Sequence, residues 1–140
     1  RMPAESRAVL EILRSDVHAR AAAEQRIFGF DYAEVSAALL ESWRLPHSLV
    51  EPVRCHLTPG TAVDFRHDAA LLCIAREVTI LVEPGFKTEK REPRPSPVIP
   101  DAVWAQSQLV PAVLPNALEQ VDAQWFEVID IINPGGSLAY

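Results

Sequence analysis

Residues 28–46, FGFDYAEVSAALLESWRLP, carry the start and the stop of a helix within themselves. Asp31 suits the N-cap, because a short carboxylate accepts hydrogen bonds from the first free amides of a helix. Glu34, three positions on, can reach back to the cap amide and complete a capping box, and Phe30 before the cap can pack on Val35 after it as a hydrophobic staple. Each of these devices has a structural value of about 0.5–2 kcal/mol at a helix start, so none of the three residues requires a catalytic role. Val35, Ala38, Leu39 and Trp43 then recur at helical spacing and are expected to form a buried stripe. At Leu45 the following proline pushes the backbone out of helical geometry.

Working downstream, Pro46 suits the first turn of a further helix, expected from 46 to about 57, with Leu49, Val50 and Val53 buried. Pro52 removes an internal amide and is expected to kink that helix or delay its start. TPGT at 58–61 reads as a turn, and a long helix follows over 66–82 with Leu71, Ile74, Ala75, Val78 and Val82 on one face. Pro84-Gly85 ends it. Residues 86–100, FKTEKREPRPSPVIP, combine charge with proline and read as an exposed, mobile connection before the last helices. Those are a short helix near 101–109 and a longer one over 115–132, striped by Leu118, Val121, Trp125, Val128, Ile129 and Ile132.

Upstream, Val9, Ile12, Leu13 and Val17 mark an amphipathic helix from 4 to about 25, which Gly29 interrupts. No convincing period-2 alternation occurs. The expectation is an all-α protein: a compact multi-helix bundle in which residues 1–140 form a single helical domain.

Composition narrows the function classes. A formal charge of −6 offers no global positive field for phosphate backbones, so no nucleic-acid partner is expected. The stretch PHSLVEPVRCHL, which superficially suits a recognition helix, has one arginine and an interior proline, a poor set for reading a groove. No apolar run approaches the roughly 18–20 residues of a membrane span, and the opening residues lack signal-peptide order, so a cytoplasmic location is expected. Cys55 and Cys73 form no C-x-x-C pair and read as buried, reduced thiols.

The histidines are poorly spaced for metal chemistry. His18 and His47 read as solvated surface residues. Cys55 and His56, neighbours on a helix, diverge by about 100°, which disfavours joint chelation. His56 is read as a structural histidine or the wall of a polar pocket. His67-Asp68 would suit a metal-dependent phosphohydrolase, but Asp68 at the front of a helix has the simpler role of complementing its free amides. No phosphate loop, nucleophile elbow or paired catalytic carboxylates occur.

EQRIFGFDYAEVSAALLESWRLP, then RCHLTP, then AALLCIAREVTILVEPG follow in order from 24 to 85. This run resembles the HDOD family, the non-catalytic relatives of HD phosphohydrolases in bacterial signalling proteins, and the resemblance is strongest over 24–85. It resembles the C-terminal portion of such a domain, without a preceding helical half. Tyr32 stands where the family usually has histidine, Ser36 where it has glycine, and Leu57 where the second histidine of a pair would be; of that set only His56 remains.

The resemblance implies a vestigial or purely structural pocket at Asp31, Tyr32, Glu34, Trp43 and His56, with no catalytic residue, metal or cofactor. It implies a regulatory or scaffolding module that works by protein–protein contact, with a signalling partner or through self-association as a dimer or larger species. The alternatives are an HD-type metal-dependent phosphohydrolase or cyclic-dinucleotide phosphodiesterase using His56, Asp31 and His67-Asp68, and a nucleotide-sensing pocket without turnover.

Overall fold

A computed structural model of the chain describes residues 18–82, 97–121 and 124. The expected stripe from Val9 to Val17, most of the 86–100 connection and the far part of the last helix lie outside these residues. Within them the order is α1 (Arg20–Phe28), α2 (Tyr32–Ser42), α3 (His47–Cys55), a 3-10 turn (Pro59–Thr61), α4 (Arg66–Val82), α5 (Asp101–Ser107) and a second 3-10 turn (Pro111–Val113). That turn leads into α6, helical over 114–121. No strand occurs among the described residues, and the fold is all-α.

The junction between α1 and α2 follows from its chemistry. Gly29 takes the left-handed conformation (φ 81°) and returns its amide to the Gln25 carbonyl at 2.9 Å, closing α1. Asp31 Oδ1 accepts from the amides of Ala33 and Glu34 at 2.9 and 3.0 Å, while Glu34 Oε2 accepts from the Asp31 amide at 3.0 Å. The capping box is therefore complete. Phe30 and Val35, the expected staple pair, line one recess and are both about half exposed, and Phe30 stacks on Phe28 with centroids 5.9 Å apart.

Helix α2 closes with a Schellman motif. The Leu45 amide reaches the Leu40 carbonyl at 3.1 Å and the Arg44 amide reaches Glu41 at 2.8 Å. This geometry puts Arg44 at φ 58°, where glycine is the usual occupant. Pro46 then caps α3, which runs unbroken through Pro52. The amide that Pro52 lacks would have reached the Ser48 carbonyl, and Ser48 is exposed, so no buried acceptor is stranded.

Consecutive helices pack in series, α2 on α3, α3 on α4 and α4 on α5. The principal core joins Ala70, Ile74 and Val78 of α4 to Val103 and Trp104 of α5, with Leu114, Leu118 and Val121 of α6 packed against it. A second cluster of Cys55, Ala62 and Ala69 pins the end of α3 to α4. The α4 bounds agree with the 66–82 expectation, although Ala75, placed on its buried face, is exposed.

The stripe expected on α2 points the other way. Ala33 and Ala37 are buried, whereas Val35 is 50% exposed, Leu39 47% and Trp43 62%. Small side chains let α2 approach α3 closely, and that approach turns the larger ones outward. Leu49 of α3, also expected in the core, is 52% exposed while Val50 beside it is buried.

Candidate functional site

Of the residues singled out by the sequence, Tyr32, the first residue of α2, and His56 come together in one network. The Tyr32 amide donates to Glu24 Oε2 at 2.8 Å, and Glu24 Oε1 accepts from Arg20 Nε at 2.8 Å. Glu24 is buried, and these two bonds satisfy a charge that would otherwise be costly there. The Arg20 guanidinium lies over the Tyr32 ring, 4.4 Å from its centroid, a cation–π contact.

From the other side, Arg76 of α4 donates its Nε hydrogen to the Tyr32 hydroxyl oxygen at 2.8 Å and bonds through Nη1 to the buried Glu77. His18 lies 3.6 Å from the same Glu77 oxygen. The His56 ring stands 5.6 Å from that of Tyr32, tilted by 60°. His56 Nδ1 lies 2.6 Å from the Val53 carbonyl and, because a carbonyl only accepts, donates to it. Ser36 turns its hydroxyl onto the Tyr32 carbonyl at 2.7 Å.

Tyr32 and His56 are therefore brought together as the motif suggested. Asp31 and Glu34 spend their carboxylates on the capping box, although Asp31 also helps line an open recess of about 370 Å³ with Arg20, Glu24, Phe28, Phe30 and Val35. Trp43 caps α2 and faces outward. His67 reaches the Gln106 carbonyl at 3.3 Å and is exposed, and Asp68 sits exposed in the first turn of α4. His67 and Asp68 join no ligand-distance group with His56 among the described residues.

Sequence reasoning missed the residues that hold this network. Glu24 opens the 24–46 signature, yet its burial is visible only in three dimensions. Arg76 and Glu77 carry no local signal, since their partners outside α4 are Tyr32 at the start of α2 and His18 just before α1.

A second polar knot sits at the far end of α3. Glu51, buried, accepts from three consecutive amides, Val63 and Asp64 at 3.0 Å and Phe65 at 2.7 Å. The Val63 amide most of all, then those of Phe65 and Asp64 and the imidazole of His47, hold its carboxyl below the usual range against the opposing effect of burial. His47, Glu51 and Asp64 form the one group of three donors within ligand distance of one another among the described residues. His47 is exposed, as expected, but not isolated.

Of the thiols, Cys55 is buried and Cys73 half-buried, and both are free. Burial above all, with the nearby Glu77 carboxylate, pushes the Cys73 thiol up, partly offset by Arg76.

No helix among the described residues is long and apolar enough to cross a membrane. No curated protein and no solved structure gives a significant match to the chain. The family model of the HDOD domain matches residues 1–59, a span that overlaps the expected 24–85 stretch and ends before α4. The 24–46 signature, Tyr32 and His56 all lie within that match, so it is over residues 1–59 that the chain is similar to the HDOD domain.

Proposed function

We propose that the chain is a non-enzymatic regulatory or scaffolding module of bacterial signal transduction, cytoplasmic, which holds a protein partner on the outer face of α2. The observation that carries this reading is the outward set Phe28, Phe30, Val35, Leu39 and Trp43, each between 36% and 62% exposed. Val35, Leu39 and Trp43 recur every four residues along α2, and Phe28, Phe30 and Val35 share the recess at its front. Large apolar side chains gathered in one place mark an interaction site, and aromatic anchors of this kind contribute most of the energy at protein interfaces.

The partner that fits is a helix or extended segment with apolar anchors and basic flanks. The chain carries −6 overall, which opposes close approach of a second copy and attracts a basic one. The charges nearest the face are already spent, Glu34 on Gln25 and the cap amide, Glu41 on Arg54 at 2.8 Å.

The same geometry supports a role without hydrolysis. Tyr32 and Leu57 offer a phenol and an alkyl chain where the resemblance calls for imidazoles, and neither serves a divalent ion well. The Arg76 guanidinium fixed on the Tyr32 oxygen adds a positive charge that repels such an ion.

A photo-crosslinking amino acid in place of Leu39, irradiated in cells and read by mass spectrometry, tests the reading. One discrete adduct with another protein, lost in Trp43→Asp, is expected. Adducts only between copies of this chain would replace the partner with self-association, and absence of any adduct would overturn the binding face. Metal-dependent turnover of a phosphodiester, abolished by His56→Ala, would overturn the non-enzymatic role. The recess near Tyr32 supports a second reading, nucleotide sensing without turnover, which calorimetry with a nucleotide panel tests.

A further inference from the structure

We propose that His47, Glu51 and Asp64 form a binding site for a divalent transition-metal cation of the Zn²⁺ class, which clamps the first turn of α3 to the loop before α4. His47 Nε2 lies 3.5 Å from Asp64 Oδ2 and 3.9 Å from Glu51 Oε1, and one donor atom from each residue falls within 4.8 Å of the others. Tetrahedral bonds of about 2.1 Å place donors about 3.4 Å apart, so closing the site requires the exposed His47 and Asp64 side chains to move inward onto the fixed Glu51 carboxylate.

The donors are fixed by a hydrogen-bond set that already exists. Glu51, with a side chain only 9% exposed, is an ionic group in the interior whose orientation is set by the amides of 63, 64 and 65. Oε2 takes two of those amides and Oε1 takes one, which leaves an electron pair on Oε1, the atom beside His47. The same three bonds hold the loop that presents Asp64. The His47 ring stands edge-on to Phe65, with centroids 5.7 Å apart, so a neighbouring loop residue orients the imidazole. Such outer contacts are what preorganise metal ligands.

One neutral imidazole and two carboxylates give the donor set two negative charges, matched by a divalent ion, and a nitrogen donor selects the zinc class over Mg²⁺. His47 and His56 stand nine residues apart, so the site lies about 13 Å along α3 from the Tyr32 network and is independent of it.

Calorimetric titration of the chain with Zn²⁺ and with Mg²⁺ tests the site, run beside thermal melts. One equivalent of Zn²⁺ should bind with micromolar affinity and raise the melting temperature, and Mg²⁺ should do neither. His47→Ala and Asp64→Asn, both on exposed side chains, should each weaken Zn²⁺ binding by about tenfold or more and abolish the Zn²⁺-dependent thermal shift, measured against each variant's own metal-free melt. Absence of Zn²⁺ binding in the unaltered chain would overturn the assignment, and so would variants that bind as tightly as the parent, since the ion would then sit on other histidines or thiols.

Discussion

Arg76 donates its Nε hydrogen to the Tyr32 hydroxyl oxygen at 2.8 Å, joining α4 to the first residue of α2 across 44 positions of chain. The Arg76 side chain is only 20% exposed and shares its charge with Glu77, so the phenol satisfies a donor that water reaches poorly. Tyr32→Phe keeps the ring that Arg20 and His56 contact and removes only the acceptor. A loss of about 1–2 kcal/mol is expected, measured by urea denaturation. A variant as stable as the parent would show that the bond contributes nothing to the fold.

Replacing Asp31 tests the local half of the same region. Asp31→Ala removes the acceptor for two amides and should destabilise the protein by about 1 kcal/mol. Asp31→Ser, which can still cap, should recover most of that. If serine and alanine were equivalent in a thermal melt, the carboxylate would be acting by charge alone.

The helix ends of this region were legible because they are local chemistry. Asp31, Glu34, Gly29 and the Leu45-Pro46 step each act within a few residues of chain, and α4 starts where its periodicity does. The choice of buried face was not legible, because it depends on what the neighbouring helix accommodates. On α2 the alanines made the close contact and Trp43 was left outside, whereas Trp104 in the short α5 entered the core without having been marked by the pattern. The Tyr32–His56 pairing came through a motif. Arg76 and Glu51 did not: Arg76 is paired with a residue on a distant helix, and Glu51 has the sequence surroundings of an ordinary solvated glutamate.

Arg44 occupies a backbone position that a side chain makes costly. The left-handed region costs a residue bearing Cβ about 1–2 kcal/mol. The additional freedom glycine gives the unfolded chain offsets about 0.4–1 kcal/mol of any gain. Arg44→Gly should therefore stabilise the protein by roughly 0.5–1 kcal/mol, read as a higher urea midpoint with an unchanged slope. A fall in the midpoint would mean that the arginine side chain makes a compensating contact.

Trp43 separates folding from binding. At 62% exposure its truncation removes only part of a core ring's buried area, so Trp43→Ala should cost well under the roughly 3–5 kcal/mol of a core aromatic truncation. The partner adduct formed from position 39 should nonetheless disappear. Loss of both stability and adduct would assign Trp43 to the fold.

Glu51 links the fold to pH. Its folded carboxyl sits below the usual range, led by the Val63 amide and assisted by those of Phe65 and Asp64 and by His47. A group whose folded pKa is depressed gives a stabilisation fully present above its unfolded value and lost as pH falls through the folded one. The melting temperature should therefore decline as the solution is taken from neutrality through the carboxylate range. Glu51→Gln replaces an acceptor of three amides by an amide that presents only one oxygen, so it should melt lower at neutral pH and show a shallower acid decline. Parallel acid limbs for parent and variant would place the pH dependence on other carboxylates and leave Glu51 with a shape-filling role at the start of α4.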